Sequence, residues 1–234
     1  MKRILIGILM MTLIAGCGAP ARIAESPTAS GAVEPVQFLA LGDSYTIGEA
    51  VAADARWPMQ LVAQLRARGV AVNEPQIIAR TGWTTDELDA GIDAAAPQGR
   101  FALVSLLIGV NNQYRGRSAE EYRGQFRGLL SRAVRFAGGD ARRVLVLSIP
   151  DWGVTPFAQG HDPARIAAEI DAFNAINRAE ATAVGARYVD VTPASRRATT
   201  DPTLIAEDGL HPSGAMYAEW ARLTLPEVLA ALGY

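Results

Sequence analysis

The sequence predicts a three-layer α/β domain built on a parallel β-sheet. Two observations carry this expectation. From Pro35 onward short apolar runs alternate with helical patterns, and several of those runs are continuously apolar, as strands covered on both faces are. A chain of 234 residues, half of them hydrophobic and a fifth charged, has the material for one globular domain with a sizeable core.

The elements follow in order. Val36 to Leu41, Gln76 to Ala79, Phe101 to Ile108, Val144 to Ile149 and Arg187 to Val191 read as five strands. Between the first two, Trp57 to Arg68 sets Leu61, Val62 and Leu65 on one helical face and closes at Gly69. Ser118 to Ala137 aligns Tyr122, Phe126, Leu129, Leu130 and Val134 on another helix. Asp162-Pro163 opens a third, running to about Val184, with the aspartate as cap and proline in the first turn. A last helical region spans Ser213 to Leu232, with an interruption expected near Pro226.

The N-terminus reads as an address rather than as fold. Met1-Lys2-Arg3 is a positive start, Ile4 to Ile14 is mostly apolar, and Ala15-Gly16 put small side chains before Cys17. The run is shorter than the roughly 20 residues that span a bilayer. Residues 1–16 are therefore read as a removable signal peptide. Ile14-Ala15-Gly16-Cys17 resembles a bacterial lipobox, which implies that Cys17 becomes the lipidated first residue of an envelope lipoprotein. Residues 17–35 then form the lipidated cysteine and a tether rich in Ala, Pro, Ser and Gly, and 36–234 the domain. Gly18 leaves no aspartate after the cysteine, so the outer membrane or periplasmic face is the expected location.

Composition excludes several classes of function. The formal charge of −2 falls to −4 once Lys2 and Arg3 are removed, and the arginines that remain are scattered among acidic residues, so no nucleic-acid surface is expected. Two histidines and one cysteine do not make a zinc cluster, and one cysteine cannot form an internal disulfide. No metal and no organic cofactor is called for.

In an open parallel sheet, sites form beyond the carboxyl ends of the strands. The first strand is followed by Gly42-Asp43-Ser44-Tyr45, the second by Arg80-Thr81-Gly82-Trp83, the third by Gly109-Val110-Asn111-Asn112. Asp208-Gly209-Leu210-His211-Pro212 precedes the last helix. Each segment alone is ordinary turn chemistry. Together they supply a nucleophile, oxyanion donors, a base and a carboxylate to orient it. In this order they resemble the SGNH (GDSL) hydrolases, over about residue 36 to the end: Gly42-Asp43-Ser44 looks like the first block, Gly82 the second, Gly109-Val110-Asn111 the third and Asp208-Gly209-Leu210-His211 the fifth.

The resemblance implies a flavodoxin-like fold with strand order 2-1-3-4-5 and hydrolysis of carboxylic esters through an acyl-serine. Ser44 would be the nucleophile, His211 the base and Asp208 its partner, with an oxyanion hole of the Ser44 and Gly82 N–H groups and the Asn111 amide. Asp43 is read as structural. The family's third block usually ends in Asp where this chain has Asn112, which puts loop rigidity in question. No G-x-S-x-G occurs.

His161 and Asp151 lie on the stretch after the fourth strand, and compete as base and acid; their plainer readings are a surface imidazole and a turn carboxylate. Trp83, Tyr114, Trp152 and Phe157 fall in loops on the same face, where they line a substrate pocket or anchor the loops. The expected substrate is a small-molecule, glycan or lipid ester. Rival readings are a sugar O-deacetylase, a lysophospholipase or thioesterase, and, outside enzymes, a ligand-binding lipoprotein.

Overall fold

The structure, a computed structural model, describes residues 34–234. The segments expected to be signal peptide and tether, Cys17 included, lie almost wholly outside the described residues. The described chain forms one compact unit around a five-stranded parallel sheet of order β2-β1-β3-β4-β5. The strands are β1 Phe38–Asp43, β2 Gln76–Arg80, β3 Leu103–Leu107, β4 Val144–Leu147 and β5 Arg187–Val189.

All five predicted strands exist, with shifted ends. β1 begins later than expected and runs on through Gly42 and Asp43, because these two residues pair with Ala79 and Arg80 of β2. Every residue of β1, β3 and β4 is buried, as their apolar runs require. The edge strands β2 and β5 are only partly covered, and β5 carries Arg187, which pairs with Glu227 at 2.8 Å.

Among the described residues eight α-helices surround the sheet: α1 Ser44–Ile47, α2 Trp57–Arg66, α3 Thr85–Ala95, α4 Val110–Tyr114, α5 Ala119–Phe136, α6 Pro163–Val184, α7 Thr192–Arg196 and α8 Gly214–Leu232. One layer is α2 packed on α8. The other is α3, α5 and α6 in succession. Leu61, Val62 and Leu65 of α2 are fully buried, each contributing about 1.5–3 kcal/mol by leaving water. On the other layer Tyr122 Oη donates to Asn177 Oδ1 at 2.7 Å, and Glu180 takes Arg123 and Arg127, tying α5 to α6.

The expected break at Pro226 is a correction, since α8 runs unbroken from Gly214 to Leu232. Proline removes one N–H and crowds the preceding turn. Here Thr224, Leu225 and Val228 are buried on both sides of it, so packing holds the two halves in line. Helix α3 was not anticipated. Its start is a capping box in which Thr84 N–H donates to Glu87 Oε2 at 2.8 Å.

Candidate active site

The site is built where the central strands end. β1 has β2 on one side and β3 on the other, so the segments after all three meet above the sheet. Gly42, next to last in β1, has no room for a side chain: a Cβ there would strike Thr46 Oγ1 and the Leu107 carbonyl. That close approach lets the chain turn straight from β1 into α1. Asp43 caps the turn, its Oδ1 accepting from Tyr45 N–H at 3.0 Å, and Ser44 becomes the first residue of α1. Its N–H is one of the donors that a helix start leaves without a helical partner.

Asp43 is fully buried, and Oδ2 has no hydrogen-bond partner among the described residues. Burial pushes its carboxyl up to about 7, against the backbone hydrogen bonds that lower it. It serves as a cap and does not line the pocket.

The second and third segments are fastened to each other. Gly82 has φ +83°, a left-handed backbone that favours glycine, and lines the pocket beside Ser44. Asn111 Nδ2 donates to the Trp83 carbonyl at 2.9 Å. A carbonyl can only accept, so the amide nitrogen is placed on that side and keeps a second hydrogen. Arg115 Nη2 donates to the Gly82 carbonyl at 2.6 Å, and Asn112 Oδ1 accepts from Thr85 N–H at 3.1 Å while Nδ2 donates to Thr85 Oγ1 at 2.7 Å. Asn112 thus uses both ends of its amide in full burial, so the departure from aspartate leaves the loop held.

Asp208 and His211 share one turn before α8. Asp208 Oδ1 accepts the N–H groups of Leu210 and His211, each at 3.0 Å, and Oδ2 lies 2.5 Å from His211 Nδ1. An ionised carboxylate only accepts, so Nδ1 carries the proton and Nε2 is the ring's free base. Burial pushes the Asp208 carboxyl up, but the His211 ring and the two backbone donors outweigh it and hold it below the usual range. The His211 ring is buried, with Tyr45 edge-on at 5.4 Å.

Ser44, Gly82, Asn111 and His211 line one cavity of about 180 Å³. Its other walls include Val110, Tyr114, Trp152, Phe157 and Leu210. Trp83 is placed elsewhere, a correction to the pocket expected from sequence. Its indole covers Gly91 of α3, where a Cβ would run into the ring, so it anchors the loop.

The competitors are placed apart from Ser44. His161 is exposed, packs edge-on to Trp152 at 5.3 Å and does not line the cavity. Asp151 is buried, with Oδ1 capping Gly153 N–H at 2.9 Å and Oδ2 paired to Arg196 Nε at 2.8 Å. A larger groove of about 690 Å³ between α6 and the β5–α7 segment holds none of the candidate residues, and its charges are paired, Arg178 with Asp190 and Arg196 with Asp171. Among the described residues, no three His, Cys, Asp or Glu side chains converge to hold a metal ion.

Sequence reasoning missed Tyr45, Gln113 and Arg115. Tyr45 packs on the imidazole, Gln113 Oε1 accepts from Trp152 Nε1 at 2.7 Å, and Arg115 holds Gly82. All three sit inside or beside segments already singled out, but only tertiary contact shows what they touch.

The fold and this cluster define an α/β protein of the flavodoxin-like type, with a serine directly after β1 that shares one cavity with an Asp-oriented histidine. The sequence model of the GDSL-like lipase/acylhydrolase family matches residues 40–219, and the chain belongs to that family. No curated protein matches the chain in sequence.

Solved structures share the fold. TesA superposes with a TM-score of 0.67 at 20% identity, covering 84% of this chain and 99% of its own. A psychrotrophic esterase from a Pseudoalteromonas species, inhibited by monoethylphosphonate, gives 0.63 at 14% identity over 85% and 100%. An acetyl xylan esterase from Geobacillus stearothermophilus gives 0.61 at 20% identity over 82% and 94%.

Proposed function

We propose that the protein is a serine esterase that hydrolyses carboxylic esters of short acyl chains. The observation that carries this reading is the Asp208–His211 pair, which opens on the same small cavity as Ser44, Gly82 and Asn111. Ser44 Oγ attacks the acyl carbon as His211 Nε2 takes its proton, and Asp208 stabilises the imidazolium. The Ser44 and Gly82 N–H groups and the Asn111 amide receive the oxyanion. His211 then gives the proton to the departing alcohol oxygen as the acyl carbon–oxygen bond breaks. Water, activated by the same imidazole, releases the acid and restores Ser44.

The cavity's size supports a short acyl chain. About 180 Å³ is below the roughly 300–1,000 Å³ of pockets that take drug-sized ligands, and it suits a short chain such as acetyl. Its walls of Val110, Phe157 and Leu210 suit an apolar end. The activity of the structurally similar esterases agrees with this chemistry.

The test is labelling by a fluorophosphonate together with turnover of p-nitrophenyl acetate. Wild type should label and turn over, and Ser44→Ala should do neither while keeping its thermal unfolding midpoint. Labelling that persists in Ser44→Ala would overturn the assignment.

We further propose that Cys17 is acylated and anchors the domain in the cell envelope, on the strength of the segment Ile14-Ala15-Gly16-Cys17. Cys17→Ser should block lipid attachment and release an active domain to the aqueous phase. Wild-type protein found wholly in that phase would refute the anchor.

A further inference from the structure

We propose that a polar groove next to the Ser44 cavity receives the alcohol half of the ester, and that this alcohol is a neutral, polyhydroxylated sugar. The inference rests on the esterase reading above. The groove has a volume of about 380 Å³ and shares Tyr114 and Trp152 with the cavity, so one molecule can occupy both by passing these rings. A substrate that fills them has a small acyl end and a larger partner.

The groove's chemistry selects that partner. Its polar side chains are Gln113, His161, Arg165 and Glu169, which together offer donors and acceptors. Gln113 is locked: Oε1 accepts from Trp152 Nε1 at 2.7 Å, and Nε2 donates to Glu169 Oε2 at 2.6 Å. Glu169 Oε1 and Arg165 Nε stand 3.7 Å apart; Arg165 is mostly exposed and Glu169 partly so, and each keeps hydrogen-bonding capacity to spare. A hydrocarbon chain laid here would strip water from His161, Arg165 and Glu169 and return no hydrogen bonds. A phosphate set beside Arg165 would also meet the Glu169 carboxylate, a repulsion that takes back the attraction.

A sugar meets neither objection. Its hydroxyls donate and accept, matching Glu169 and Arg165 at once. Its ring also has an apolar C–H face, and the Tyr114 ring, half exposed at 51%, stands between cavity and groove to pack against it. Hydrolysis then moves the acyl group from the sugar oxygen to Ser44 and on to water, and the sugar leaves as the free alcohol.

The experiment compares a mono-O-acetylated methyl glucoside, p-nitrophenyl acetate and lysophosphatidylcholine with wild type, Arg165→Ala and Glu169→Gln. Glutamine keeps an acceptor for Gln113, and Arg165 is mostly exposed, so both variants should fold as wild type. The ratio of kcat/KM for the acetylated glucoside to that for p-nitrophenyl acetate should fall about tenfold in each variant, chiefly through KM. An unchanged ratio would overturn the proposal, as would wild type preferring lysophosphatidylcholine and losing that preference in Arg165→Ala. No turnover of any ester, with no labelling of Ser44, would sink the esterase reading itself and this one with it.

Discussion

Asp208 holds His211 through both of its carboxylate oxygens, Oδ1 on the backbone N–H at 3.0 Å and Oδ2 on Nδ1 at 2.5 Å. The first contact fixes the turn and the second fixes the tautomer, so backbone and side chain of one residue are set by one carboxylate. Separating the two effects needs a substitution that keeps the first.

Asp208→Asn does this. Its Oδ1 can still accept the Leu210 and His211 N–H groups, but an amide nitrogen facing Nδ1 donates and favours the tautomer with the proton on Nε2. That tautomer cannot take the Ser44 proton. We expect kcat on p-nitrophenyl acetate to fall by about 10⁴-fold with the circular dichroism spectrum unchanged. A loss below tenfold would remove Asp208 from the mechanism.

Asn112 gives a second prediction, against the family pattern. Its Nδ2 donates to Thr85 Oγ1, and that hydroxyl in turn donates to Gln125 Oε1. In Asn112→Asp the donor becomes an acceptor, so the Thr85 hydroxyl must turn toward it and Gln125 loses its donor. The Gln125 amide could rotate to compensate only by giving up its bond to Glu121 Oε1. The carboxylate would also be fully buried with no cation bonded to it. Restoring the family's usual residue should therefore destabilise this chain by about 1–3 kcal/mol at neutral pH, measured by urea unfolding. An equal or higher midpoint would show that the network tolerates the swap.

Much of this was legible before any coordinates. The strands were readable because a centre strand must be apolar on both faces, as Phe101 to Ile108 is, and the four site segments because they follow strands or precede α8 in order. Helix α3 was not read, since Leu88 and Ile92 are its only buried apolar residues, although Thr84-x-x-Glu87 was a usable start signal. Trp83 was placed in the pocket because it neighbours Gly82; which way its ring turns depends on Gly91, eight residues on, where the absent side chain leaves space for the indole. Gln113 and Glu169 are 56 residues apart, and nothing local announces their bond.

The third prediction concerns pH. Asp43 titrates near 7 in the folded chain, raised from 3.8 mainly by burial. Below the lower value the carboxyl is neutral in both states and folding carries no charge penalty. As pH rises toward 7 the unfolded chain ionises first and is favoured, so stability falls across that window. Asp43→Asn keeps the acceptor for Tyr45 N–H and cannot ionise. Wild type should lose stability from pH 4.5 to 7.5 relative to the variant, read as a narrowing or reversal of the difference in urea midpoints. A constant difference would show that Asp43 does not titrate there.

The last prediction decides between the two histidines. His211 is buried, oriented by Asp208 and Tyr45, and shares the cavity with Ser44. His161 sits on an exposed turn, and its neighbour Asp162 is committed to capping α6 through Ala164 and Arg165 N–H. No carboxylate therefore orients the His161 ring from that turn. His211→Ala should remove nearly all turnover of p-nitrophenyl acetate, about 10³-fold or more in kcat, because Ser44 loses its base. His161→Ala should change kcat on the same ester by no more than a few-fold, since its ring reaches the cavity only through the edge of Trp152. Fluorophosphonate labelling should follow the same order, slow in His211→Ala and near wild type in His161→Ala. If the two variants exchanged these behaviours, the base would be His161, and the cavity shared by Ser44 and His211 would have no part in proton transfer.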